Sequence, residues 1–145
     1  MKPSFKIQKT IYSITLVFIT LSGIAQMPIF KRYYIADIPG LGWLAKYYIT
    51  HLMHYIFAFI LIALVVYTIL DFIINTANYP KITRASYFKF IAIACLIISG
   101  SIMVYKNISG IYLSHSLIIT LDILHIIFCF MLLFISFYTL FKRKK

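Results

Sequence analysis

The placement of charge along the chain constrains its fold more than any other feature. Between Lys9 and Lys31 lie 21 uncharged residues, between Lys46 and Asp71 lie 24, and between Lys89 and Lys106 lie 16. A fourth run reaches from Leu117 to Phe141 and is broken only by Asp122. A hydrocarbon core takes roughly 20 apolar residues at 1.5 Å of rise each. The third run meets that length by starting near Ser86, with Lys89 snorkelling to the surface along its aliphatic stem. The expected fold is all-α: a transmembrane four-helix bundle with spans at 10–30, 47–71, 86–105 and 117–141. It forms a single domain over residues 1–145, with no room for a soluble one.

Composition removes the competing classes. The chain is 63% hydrophobic and 12% charged, with a mean hydropathy of +0.96, about half the charge share of a soluble domain. Lys and Arg number 14 against 3 acids, all Asp. Such an excess suits nucleic acid only when it covers one solvated face. Here it sits in short clusters between apolar runs, which is a membrane pattern. A soluble globule, a disulfide scaffold and a DNA-binding module are excluded, and lipid rather than nucleic acid is the expected partner. Ten Lys and Arg fall in the N-terminus, the second connection with Lys89, and the tail, against four (Lys31, Arg32, Lys46, Lys106) on the other side. That asymmetry directs both termini to the cytoplasm.

The first span also imitates a secretory signal: three lysines, an apolar run, then Gly23-Ile24-Ala25 before Gln26. A retained helix is expected, because apolar character continues through Met27, Ile29 and Phe30. The connection from Met27 to Lys46 is rich in Tyr, Trp and Ile, and should lie on the membrane surface or cap the bundle. The connection from Asn75 to Ser86 reads as a polar, Pro-containing linker. Asn107-Ile108-Ser109 matches a glycosylation triplet but hugs the membrane. No internal repeat stands out.

Ionisable groups inside a span are costly and count as functional candidates. Span two carries His51 and His54, and span four carries Asp122 and His125. Residues three apart share a helix face. His54 stands 17 residues before Asp71 and His125 stands 17 before Lys142, while His51 and Asp122 each stand 20 before the same boundaries. Two levels follow, about one helical turn apart. Two imidazoles at one depth in an apolar bundle suit the axial ligation of a b-type haem. Ser22-Gly23 and Ser99-Gly100-Ser101 lie near that level, where small residues admit a flat ring or a neighbouring helix. At the shallower level, Asp122 can fix the tautomer of a histidine, exchange protons with a quinol alongside His51, or simply bond the helices. His115 belongs at the interface as a solvated residue. Lys31 and Arg32 can pair with haem propionates or equally with phospholipid phosphates. Cys95 and Cys129 have no C-x-x-C or C-x-x-C-H context, which excludes covalent haem and leaves two small buried residues. No nucleophile has an adjacent base.

These features resemble the b-type cytochrome membrane subunits of respiratory formate dehydrogenases and nickel–iron hydrogenases. They are also similar to small four-helix membrane proteins found with iron–sulfur partners. The likeness rests on Tyr48-Ile49-Thr50-His51-Leu52-Met53-His54-Tyr55 and on Asp122-Ile123-Leu124-His125, and it covers nearly the whole chain. It implies electron transfer between a quinone pool and an iron–sulfur partner subunit, in a bacterial inner membrane, with His54 and His125 at the second- and fourth-helix ligand positions. That makes the chain a subunit of an oxidoreductase complex rather than a self-sufficient enzyme. The two-haem pattern takes a ligand from the first span, which has no histidine here. One haem is therefore expected, and a second would have to use His51 with His115. Two alternatives remain: a zinc or non-haem iron site for binding or transport, built from His51, His54, Asp122 and His125, and a non-redox anchor whose histidines only join helices.

Overall fold

The computed structural model describes residues 3–27, 37–75, 83–108 and 110–142. They form four long helices: α1 (Pro3–Ala25), α2 (Tyr47–Ile74), α3 (Arg84–Tyr105) and α4 (His115–Lys142). A short 3-10 turn at Gly42–Ala45 precedes α2, and no strand occurs among the described residues. All four helices are long and apolar enough to cross a membrane. The chain is a multi-pass membrane protein by that length and composition. Cys95 and Cys129 are half-buried and form no disulfide.

Helix ends differ from the expected spans for local reasons. α1 begins near Pro3, a residue tolerated in a first turn, and closes at Ala25 rather than at residue 30. The N–H groups of Gln26 and Met27 tighten onto the carbonyls of Gly23 and Ile24, and Pro28 follows in sequence, disfavouring helix at the residue before it. Residues 28–36 lie outside the described residues, and with them Lys31, Arg32 and nearly half of the first connection. The connection at 76–82 and Ser109 of the glycosylation triplet also lie outside them. α2 runs three residues beyond 71, to Ile74, and Asn75 N–H closes on the Asp71 carbonyl. α3 starts at Arg84 because Thr83 caps it, its Oγ1 accepting from Ser86 N–H at 3.2 Å. Ser114 does the same for α4, accepting from Leu117 N–H at 3.3 Å, so that helix starts two residues before Leu117.

Two compact units make up the chain, Met1–Tyr79 and Pro80–Lys145, each a helical hairpin. In the first, α1 and α2 close on small hydroxyl residues: Thr15, Ser22 and Thr50 are at most 1% exposed. Ser22 Oγ donates to the Ile19 carbonyl at 3.0 Å and Thr50 Oγ1 to the Tyr47 carbonyl at 3.0 Å. Satisfied within their own helices, such residues let two backbones approach closely. Phe18 stacks on Phe57 at 4.9 Å, Gln8 donates to Thr68 Oγ1 at 2.8 Å, and Leu44 of the 3-10 turn is buried in the same unit. In the second hairpin, Ala92, Ser99, Leu121 and Leu132 are buried. Lys89 Nζ donates to Thr139 Oγ1 at 2.7 Å, so the lysine expected to reach outward also bonds across its hairpin. Large apolar side chains such as Phe59 and Phe134 are more than 70% exposed. In water that would be an aggregation surface, and in lipid it is the solvated one.

One buried hydroxyl stands out. Ser136 Oγ has no hydrogen-bond partner among the described residues. Replacing Ser136 by alanine is expected to raise stability by about 1 kcal/mol, since a desolvated hydroxyl is removed with little change in volume. Thermal unfolding in detergent checks this, and a lowered midpoint would show that the hydroxyl is satisfied.

Candidate functional site

In the first hairpin His54 lies against α1. Its Nδ1 is 3.1 Å from the Ile19 carbonyl oxygen and 3.3 Å from Ser22 Oγ. A carbonyl only accepts, so Nδ1 is the protonated nitrogen. The Ser22 proton is already directed to the Ile19 carbonyl, which leaves its oxygen as an acceptor as well. In the neutral ring the lone pair is therefore on Nε2, a tautomer assigned from its partners' chemistry.

The second hairpin reaches the same result with other residues. His125 Nδ1 is 2.8 Å from Ser99 Oγ, and Ser99 Oγ donates to the Cys95 carbonyl at 2.8 Å. The Ser99 hydroxyl has one proton to share among the Cys95 carbonyl, the Leu96 carbonyl and the ring; given to the backbone, it leaves Ser99 to accept from His125 Nδ1–H and puts the lone pair on Nε2, as at His54. His54 and His125 are both half-buried.

Glycine makes room for each ring. A Cβ built on Gly23 would come within 3.2 Å of His54 Cε1, and one on Gly100 within 3.5 Å of His125 Cε1. Each glycine thus lies level with its histidine, and what it admits here is the imidazole of the neighbouring helix. The first contact is tighter than ordinary packing permits and the second is not.

His51 sits one turn from His54, half-buried, its Nδ1 3.0 Å from Gln26 Oε1. Gln26 Nε2 donates to the Ser22 carbonyl at 3.2 Å, which identifies Oε1 as the acceptor and His51 Nδ1 as the donor. Tyr47 stacks on the His51 ring at 5.0 Å and Tyr55 tilts against it at 4.4 Å. Gln26 thereby ties His51 to the residue that holds His54. Asp122 and His115 are exposed. The Nδ1 atoms of His51, His54 and His125 thus meet an amide, hydroxyls and a carbonyl, the tautomer-fixing office that sequence reasoning offers to Asp122.

Within one hairpin stand His51 and His54, and within the other Asp122 and His125, so a four-ligand metal set would draw on both. Among the described residues no group of three or more His, Cys, Asp or Glu is placed to hold a metal ion. Sequence reasoning missed Gln26 and the hydroxyls of Ser22 and Ser99, which register there only as small residues. The available signal was a hydroxyl beside each glycine inside an otherwise apolar span. No protein-family model, curated protein or solved structure matches this chain.

Proposed function

We propose that this chain is a b-type cytochrome subunit of a bacterial inner membrane, exchanging electrons between quinone and a redox partner protein. His54 and His125 are its axial ligands, and both termini face the cytoplasm. The observation that carries this reading is the matched preparation of the two imidazoles. Each has Nδ1 against the neighbouring helix, donating to the Ile19 carbonyl at His54 and paired with the Ser99 hydroxyl at His125, an arrangement in which Nε2 can bind a metal while the other ring nitrogen is oriented by a hydrogen bond. Two histidines held alike by Nδ1, each packed on a glycine, fit a paired ligand set. Bound there, a haem supplies a one-electron carrier whose potential depends on axial ligands and burial.

The chain's own residues do the rest. Ser22, Ile19 and Ser99 hold the rings, the apolar spans exclude water, and the basic clusters set orientation. His51, in the second turn of α2 next to the first connection, is the group in this hairpin suited to exchange a proton with a quinol, since its ring carries both a donor and an acceptor nitrogen. The resemblance carried by His54 and by Asp122-Ile123-Leu124-His125 points to a partner that holds iron–sulfur clusters.

A reduced-minus-oxidised spectrum of the purified, haem-replete protein tests this reading. A b-type α band supports it. Absence of the band, with zinc or non-haem iron found by elemental analysis, would transfer the histidines to the metal-site reading. Absence of both, with the partner complex fully active after loss of His54 and His125, would leave a structural anchor.

A further inference from the structure

The two hairpins match one another in register over part of their length. From His54 through Leu64 and from His125 through Ile135, exposed, half-buried and buried positions coincide one for one. Five of these positions also carry identical residues: His54 and His125, Ile56 and Ile127, Phe57 and Phe128, Phe59 and Phe130, Leu61 and Leu132. Further along, Tyr67-Thr68 matches Tyr138-Thr139, and each threonine accepts a hydrogen bond from the preceding helix, from Gln8 and Lys89. On the first helix of each pair, Ser22-Gly23 matches Ser99-Gly100. A buried small residue stands seven positions earlier in both, Thr15 and Ala92. Asp122 occupies the place of His51, and Ser136, whose hydroxyl lacks a partner, occupies the place of Val65.

We infer that the chain is a tandem duplication of a helical hairpin bearing one Ser-Gly/His module, and that Ser22 and Ser99 are equivalent positioning residues that set the histidine tautomers. Physical necessity separates this from coincidence of helical pitch. Pitch alone repeats burial in any pair of amphipathic helices. It does not place a serine oxygen on Nδ1 and a glycine Cα against Cε1 of the same ring twice. The assignment of the serines deepens the cytochrome reading and, as regards iron, rests on it.

Nitrogen-15 NMR of the full-length protein, labelled at histidine and prepared without haem in lipid nanodiscs, tests the module directly. His54 and His125 should each show a pyrrole-like Nδ1 and a pyridine-like Nε2. Ser99→Ala should shift the His125 nitrogens toward a mixture of tautomers and leave those of His54 in place. Ser22→Ala should move the His54 signals less, because the Ile19 carbonyl remains. Ser99→Thr, which keeps the hydroxyl, should restore the wild-type His125 pattern. In haem-loaded samples Ser99→Ala should weaken haem affinity about tenfold, as loss of a ligand's hydrogen-bond partner does. An Nε2–H tautomer in the wild type, or a His125 pattern unmoved by Ser99→Ala, overturns the inference. Correct tautomer behaviour in a protein that takes up no haem would retain the module and refute the cytochrome reading instead.

Discussion

Alanine at His54, or at His125, is expected to remove the b-type α band from the reduced-minus-oxidised spectrum of the purified protein, and alanine at His115 to leave it intact. The contrast follows from the surroundings of each ring. His54 and His125 are half-buried and held by Nδ1 through Ile19, Ser22 and Ser99, so deleting either takes away an oriented ligand. With a single imidazole left, the chain would hold a haem only weakly. His115 is the exposed first residue of α4, where truncation removes nothing but a solvated side chain. A retained band in both His54→Ala and His125→Ala would reject these ligands.

The second large effect is expected at Gly23. An added methyl would stand 3.2 Å from His54 Cε1 and 3.4 Å from Nδ1, so the ring must rotate or α1 must move away from α2. Overpacking of this kind costs about 1–3 kcal/mol, which corresponds to roughly 5- to 150-fold in haem affinity if the cost falls on the ligand geometry. Gly23→Val should lose haem outright. Gly100→Ala serves as the internal comparison, because its methyl would meet His125 Cε1 at an ordinary 3.5 Å and haem content should be close to that of wild type. Haem-to-protein ratios across the three variants check the order, and equal ratios for Gly23→Ala and Gly100→Ala would contradict it.

Much of this was readable from charge spacing alone. The four helices, the histidines inside two of them and the glycines level with those histidines follow from uncharged runs and their boundaries. Burial confirms lipid-facing surfaces without supplying an apolar core of ordinary size. Three things were not readable. The end of α1 at Ala25 depends on a 3-10 closure that apolar character past Met27 conceals. The partners of Nδ1 depend on rotamers, and a serine beside a glycine in an apolar run reads as a small residue until its oxygen is seen 2.8 Å from a ring nitrogen. The duplication is hidden because Ser22 precedes His54 by 32 residues while Ser99 precedes His125 by 26. No single shift of the sequence on itself aligns both helices at once, because the first connection is longer than the one between α3 and α4.

The central proposal is that His54 and His125 are haem ligands. Near-infrared magnetic circular dichroism of the oxidised, haem-loaded protein measures axial ligation without reference to activity. The account predicts a low-spin ferric charge-transfer band characteristic of two imidazoles, with one haem for each chain. A high-spin spectrum, a band belonging to another axial pair, or a protein that stays colourless when supplied with haem would contradict it.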